Sequence, residues 1–390
     1  MKYYIIAGEA SGDLHGSNLI RELKLLDNRA AMRCWGGNKM EAAGATLVKH
    51  FSDLAFMGFI EVIKNLRTIF KNLAFCKADI LQYKPDVLIL IDYPGFNLRI
   101  AEWAKQQGIK VIYYISPQVW AWKAGRVKKM KQCIDKMLVI LPFEKEYYKT
   151  KWQWGVEYVG HPLVEVVDRW LLAVGRNKQQ IMNNEQRSTA NDQRIANNEQ
   201  WPTNIIALLP GSRKQEILKK LPIMLEAAKN FPAYHFMVAK APGVEENFYN
   251  ELLAPYKNVS SVVNKTYDLL GMAKAALVTS GTATLEAALF EVPEIICYKG
   301  NAISYRIAKR LIKIKYICLV NLIMDKEVVK ELIQDELTVE NITLGLNEIL
   351  QNPAKQQQLK KDYTDLKNLL SKGGNASANA AKSISTFLTG

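Results

Sequence analysis

Val87-Leu88-Ile89-Leu90-Ile91 is an unbroken apolar run that stops at Asp92, Tyr93 and Pro94. Five consecutive apolar residues, β-branched ones among them, suit a parallel strand covered by helices on both faces. Asp92 then falls at the strand's carboxyl end. Ligands of open α/β sheets bind beyond the carboxyl ends of the strands, so this carboxylate is placed to meet a substrate. The competing explanation is a turn-forming Asp ahead of proline.

The opening of the chain obeys the same grammar. Tyr3 to Ala7 reads as a strand, Gly8-Glu9-Ala10-Ser11-Gly12-Asp13 as a loop, and Leu14 to about Leu26 as a helix. Backbone N–H groups at such a helix start face an anion or a sugar, although the spacing is not the G-x-G-x-x-G of dinucleotide folds. His15, just inside the helix, either donates to a substrate phosphate or closes a surface turn. After Asp92 a loop through Asn97 leads into a helix to Lys105, and Val111 to Ile115 and Met137 to Leu141 form further strands. His161 beside Pro162 reads as a hinge or turn residue.

The pattern restarts in the second half, with strand Ile205 to Leu209, loop Pro210-Gly211-Ser212-Arg213-Lys214 and a helix from near Gln215. Two cations at a helix amino terminus suit a diphosphate. Walker A spacing is absent, which argues against P-loop hydrolysis. A strand from Ala276 to Val278 runs into Ser280, Gly281 and Thr282, which can present N–H and hydroxyl donors to phosphate. Glu286, one turn on, can accept from ribose hydroxyls. A helix cap explains some of the same residues. Ile295 to Tyr298 is another strand, and Ala302 to Ile312 a basic helix. Asn321, inside an apolar run, is either a buried turn former or a substrate contact. Val339 to Leu350 and Gln357 to Leu370 read as closing helices.

A chain of 390 residues is long for one core, so two domains are expected. Lys plus Arg outnumber Asp plus Glu by 52 to 38, a net charge of +14 that favours anionic partners. Phe56, Met57, Phe59, Ile60, Ile63 and Phe70 recur at helical spacing with basic residues between them. Such a stripe is either a core-packing helix with a solvated basic face or an interfacial helix on an anionic membrane surface. Trp120 and Trp122 stand beside Lys123, Arg126, Lys128, Lys129 and Lys131. That patch suits amphiphiles or polyanions, and no DNA or RNA module accompanies it, so nucleic acid is not expected. No apolar run approaches the roughly 18 residues of a membrane span. Five scattered cysteines without C-x-x-C spacing fit a reducing compartment. Residues 176–204 are dominated by Asn, Gln, Arg and Glu and read as a poorly packed connector.

Gly8 to Asp13, Asp92-x-Pro94-x-Phe96-Asn97, Ser116-Pro117-x-Val119-Trp120-Ala121-Trp122, Leu141-Pro142-Phe143-Glu144, Gly160-His161, Leu208 to Arg213, Ser280-Gly281-Thr282-Ala283-x-Leu285-Glu286 and Asn321-Leu322 recur in order. Together they resemble the lipid-A-disaccharide synthase family. The resemblance implies an α/β fold of the GT-B glycosyltransferase type, two Rossmann-like domains facing an interdomain cleft. Residues 1–170, completed by helices in 355–390, would hold the lipid acceptor. Residues 205–354 would bind the UDP-sugar, with 176–204 as connector. The implied reaction transfers 2,3-diacylglucosamine from UDP-2,3-diacylglucosamine to 2,3-diacylglucosamine 1-phosphate. Asp92 would be the general base and Arg213 the leaving-group cation. Ser280, Gly281, Thr282, Glu286, Asn321 and Gln334 would lie on the UDP side, Ser11, Gly12, His15 and Asn97 on the acceptor side. No Asp-x-Asp pair occurs, so neither a metal nor another cofactor is expected. Peripheral attachment to the cytoplasmic face of the inner membrane is implied, with homodimer formation left open. Gly95 stands where many members carry a second carboxylate, which argues against a two-carboxylate mechanism. The alternatives are another UDP-sugar enzyme, a UDP-N-acetylglucosamine 2-epimerase or an undecaprenyl-linked N-acetylglucosamine transferase, and a membrane-binding protein with a vestigial crevice.

Overall fold

The computed structural model describes residues 1–54, 66–122, 124–185, 201–241, 243–300, 305 and 315–390. They form two compact units, Met1–Pro162 with Leu370–Gly390, and Leu163–Leu369. In the first unit β1 (Lys2–Ala7), β2 (Ala31–Gly36), β3 (Thr46–His50), β4 (Val87–Ile91), β5 (Lys110–Tyr114), β6 (Lys136–Val139) and β7 (Glu157–Tyr158) make one parallel sheet. Its helices are α1 (Ala10–Leu26), α2 (Asn38–Ala42), α3 (Leu66–Tyr83), α4 (Pro94–Gln106), α5 (Val119–Trp122), α6 (Arg126–Cys133) and α7 (Pro142–Trp152). The strand order is 3-2-1-4-5-6-7. The chain leaves β1 towards one edge and returns to its other side as β4, which puts the sheet's switch point, where open α/β sheets bind their ligands, between these two strands.

The apolar run of β4 is fully buried on both faces, as a central parallel strand requires. Leu88 and Leu90 pack with Tyr4, Ile6 and Trp35. Val87, Ile89 and Ile91 pack on the opposite face with Ile5, Leu19 and Ile20, and with Ala380, Ala381 and Ile384 from the carboxyl terminus of the chain. Each such side chain contributes roughly 1.5–3 kcal/mol by leaving water.

The second unit begins with α8 (Pro162–Glu185) and builds a parallel sheet from β8 (Ile205–Leu209), β9 (His235–Lys240), β10 (Val259–Val263), β11 (Ala273–Val278), β12 (Glu294–Tyr298) and β13 (Lys330–Ile333). The order 10-9-8-11-12-13 again reverses, between β8 and β11. The unit's other helices are α9 (Lys214–Ala228), α10 (Glu246–Leu253), α11 (Thr266–Met272), α12 (Thr282–Leu289), α13 (Leu319–Met324), α14 (Val339–Gln351) and α15 (Pro353–Ser371), and the last helix, α16 (Ala376–Thr389), belongs to the first unit. At the end of α15 the chain rejoins the first unit, where Tyr158 donates to the Leu370 carbonyl (3.2 Å) and Asn379 to the Val159 carbonyl (3.1 Å).

The passage between units corrects the expected boundary. It falls at Pro162, at the start of α8, because Trp170 packs edge-on against Phe290 (5.0 Å) and Asp168 accepts from Lys367 (2.7 Å). The polar tract does not begin as a loop either, since α8 runs on to Glu185. A helix nucleated by packed turns can propagate into a largely polar stretch. Residues 186–200, the helix expected over 302–312 apart from Tyr305, and Lys123 lie outside the described residues. So do Phe56, Met57, Phe59, Ile60 and Ile63. Phe70, on α3, is 61% exposed.

Candidate active site

Both sheet reversals bring sequence-marked loops together. In the first, Asp92 follows β4 directly and, with Tyr93, takes a left-handed backbone conformation (φ 44° and 47°). Asp tolerates this region better than most residues, whereas for a bulky Tyr it costs about 1 kcal/mol or more. The elbow turns strand into α4, with Pro94 in the first turn, where its missing N–H costs nothing. The strained turn is tied down from three sides. Asn97, fully buried, donates through Nδ2 to the carbonyls of Asp92 (2.8 Å), Ile91 (3.2 Å) and Ile6 (3.4 Å). Tyr113 donates to the Asp92 carbonyl, and the Asp92 N–H to the Tyr114 carbonyl (3.2 Å). The loop after β1 closes over the elbow, since a Cβ on Gly8 would stand 2.3 Å from the Tyr93 ring.

Asp92 is half-buried, and the protein packed round it pushes its carboxyl up to about 7, by desolvation first and the charge of Glu9 second. A third acid belongs to this group. Glu144, buried in the first turn of α7, accepts from the Leu141 N–H (3.1 Å) and from Trp120 Nε1 (3.2 Å). Burial pushes it up to about 8, and Asp92 adds to the rise. Gly95 has open space around it, and Asp92 does have carboxylate neighbours, supplied by the loops after β1 and β6. The sequence reading gave neither Glu9 nor Glu144 a role, although both stand inside quoted motifs.

His15 is buried, not a surface-turn residue, and its Nδ1 has no hydrogen-bond partner among the described residues. Burial, with Lys39 nearby, lowers its pKa to about 4, and His161, also buried and facing it, falls to about 3. Both rings are neutral at pH 7, so His15 offers no cation to a phosphate. Gly12 lets α1 lie on β1, since its Cβ would stand 3.0 Å from that of Ala7, and Ser11 is half-buried at the helix start. Asn97, expected on the acceptor side, spends its Nδ2 on the elbow and acts by positioning Asp92.

In the second unit Arg213 caps α9 and is exposed, with Nη1 3.0 Å from Glu216 Oε1. Lys214 lies over the Phe248 ring (5.0 Å to its centroid). Gly211 and Gly281 have φ of +115° and +148°, a backbone conformation that favours glycine, in the turns at the carboxyl ends of β8 and β11. Ser280 Oγ donates to the Ile317 carbonyl (3.3 Å), while Thr282 starts α12 exposed. Glu286 accepts from Tyr267 (3.0 Å), and burial raises its pKa. Gln334, left-handed at φ 56°, accepts from the Gly300 N–H (3.2 Å), and its Nε2 has no partner among the described residues.

Asn321 is a correction. Its Nδ2 donates to the Val329 carbonyl (2.8 Å) and Glu331 Oε1 (3.0 Å), and its Oδ1 accepts from the Val328 (2.8 Å) and Val329 (3.0 Å) N–H groups. All four hydrogen-bonding positions of the amide are filled, so nothing is left for a nucleotide. Among the described residues no cluster of three or more His, Cys, Asp or Glu is arranged to hold a metal ion.

A sequence model described as lipid-A-disaccharide synthetase matches residues 3–385. The lipid-A-disaccharide synthase of Geobacter metallireducens is 38% identical over 375 residues, covering 95% of this chain and 93% of the relative. That of Syntrophus aciditrophicus is 37% identical, covering 97% and 96%. The chain belongs to the lipid-A-disaccharide synthetase family. As a member it is a glycosyltransferase of lipid A biosynthesis. Its fold is of the GT-B class: a UDP-GlcNAc 2-epimerase from Neisseria meningitidis, solved with UDP-GlcNAc, covers 100% of both chains at TM-score 0.64 and 14% identity. The glycotransferase of kitacinnamycin matches at TM-score 0.63 and 14% identity, covering 99% and 98%. At such identities the likeness carries the fold alone.

Within this synthetase-family chain the residues foreseen from sequence fall into two groups, one per sheet reversal. Asp92 stands with Glu9 and Glu144 at the first, and Arg213 stands with Glu216 at the second. Spacing gave little warning of Glu144, apart from the Pro-Phe-Glu start of a helix. Among the described residues no helix is long and apolar enough to cross a membrane.

Proposed function

We propose that this chain transfers 2,3-diacylglucosamine from UDP-2,3-diacylglucosamine to the 6-hydroxyl of 2,3-diacylglucosamine 1-phosphate, with inversion. Asp92 takes the hydroxyl proton as that oxygen attacks the anomeric carbon, and the C–O bond to UDP breaks with its electron pair leaving on the diphosphate. Arg213 and the Ser280–Thr282 turn meet the negative charge that grows there. Gln334, whose Nε2 is buried without a partner among the described residues, lies on the nucleotide side, and Glu286, already holding Tyr267, fixes the wall there. Acyl chains rest on the stripe that includes Phe70, at an anionic membrane surface. The observation that carries this reading is the elbow at Asp92: a carboxylate at a sheet's switch point, on a backbone that Asn97 and Tyr113 hold in place, with its pKa pushed up to about 7. A general base works best when its pKa lies near the operating pH.

The test is mass-spectrometric analysis of products from the two diacylglucosamine substrates, alongside UDP release. A tetraacyl disaccharide 1-phosphate with equimolar UDP is expected. UDP release without a disaccharide, or conversion of UDP-N-acetylglucosamine to an epimer, would overturn the proposal in favour of another UDP-sugar reaction.

A further inference from the structure

On α9, Glu216 sits three residues after Arg213 and four before Lys220, so all three share one helix face. Its Oε1 is 3.0 Å from Arg213 Nη1. Its Oε2 lies where a Cβ on Gly211 would come within 2.8 Å, so the carboxylate rests against the Pro210–Arg213 turn itself. Lys220 is buried at 3% exposure. The field of Glu216 partly offsets the burial that lowers the Lys220 pKa, and it also reaches Tyr298 at the end of β12. A carboxylate is thus seated beside two cations and the backbone of the glycine turn after β8.

We infer that Glu216 is a displaceable counter-anion, a positioning residue that holds Arg213 ready and must be pushed aside when the diphosphate enters between Arg213 and Lys220. This rests on the UDP-transfer reading above and adds a residue that sets nucleotide affinity and release. The competing role is purely local: an acid in a helix's first turn favours the helix dipole and touches stability only.

The two roles predict different outcomes for UDP binding. Glu216→Gln removes the competing charge, so UDP should bind at least roughly threefold tighter, with the gain larger at low salt, while kcat falls because UDP leaves more slowly. Glu226→Gln, the same charge change about 15 Å along the helix, should leave UDP affinity unchanged. Titration calorimetry with UDP reads both. Unchanged or weaker binding by Glu216→Gln, with only a lowered Tm, overturns the inference. Lys220→Met provides the second reading should that variant fail to fold: at least roughly threefold weaker binding is expected, and unchanged binding overturns it equally. Should the wild-type chain bind no UDP, the nucleotide reading falls and takes this inference with it. Wild-type binding that both variants leave alone overturns this inference only.

Discussion

Replacing Asp92 by Asn should make the protein inactive and more stable at once. The folded-state pKa of Asp92 is about 7 against 3.8 ordinarily. At about 1.36 kcal/mol per unit, holding this group ionised in the folded chain costs up to about 4 kcal/mol, and the water that still reaches the partly exposed side chain brings that nearer about 2 kcal/mol. The sign follows from proton counting. Between pH 3.8 and about 7 the folded state binds more protons than the unfolded one, so stability falls as pH rises. Asn carries no charge at any pH, and it accepts the left-handed backbone that Ala would resist. Asp92→Asn should therefore be more stable than wild type by about 2 kcal/mol at pH 8 and by clearly less at pH 5, as read from urea unfolding monitored by circular dichroism. Turnover should fall by about 10²- to 10⁴-fold, the usual worth of a general base, with UDP affinity unchanged. Turnover within threefold of wild type would end the base assignment. A stability gain that does not grow with pH would refute the desolvation reasoning, whatever the activity.

Arg213→Lys should weaken UDP binding by roughly tenfold and Arg213→Ala by more, because an ammonium cannot replace the planar guanidinium fork on a diphosphate; calorimetry checks the order. His15 and His161 are buried neutral, with pKa values lowered to about 4 and about 3 from 6.5, so the unfolded chain takes up protons first. Their stabilisation is complete above about pH 6.5 and is lost as pH falls towards 4, and His15→Gln should flatten that slope by roughly 3 kcal/mol in a stability-versus-pH series. Asn321→Ala leaves two backbone N–H groups and a carbonyl without their buried partner and should cost roughly 2–4 kcal/mol in urea, with UDP affinity unchanged in the folded fraction. Weakened UDP binding at full stability would return Asn321 to the nucleotide site.

The two-sheet architecture was legible because a parallel strand buried on both faces has an unmistakable composition, and β4 and β8 show it as plain apolar runs. β2, with Arg33 and Trp35 in it, and β10, with Ser260 and Ser261, carry no such run and escaped notice. Arg33 fits within the strand with Asp79, on α3, taking its guanidinium in a partly buried ion pair. The glycine-rich turns were equally legible, since a φ of +115° or +148° leaves few residues to choose from. The partners of polar side chains were not. The same amide in an apolar setting is a backbone clamp at Asn321, and His15 sits at a helix start like a surface residue yet is sealed in by its neighbours.

From sequence alone came the strands that end at Asp92 and at the Arg213 turn, and hence the chemistry at their tips, because burial period and backbone conformation are properties of short stretches of chain. Tertiary structure decided what each charge feels. Asp92 owes its pKa of about 7 to protein packed round it and to Glu9 across the sheet reversal, and Glu144 joins it from two strands away. Desolvation and Coulomb interaction depend on distances through space, and only the folded chain sets those.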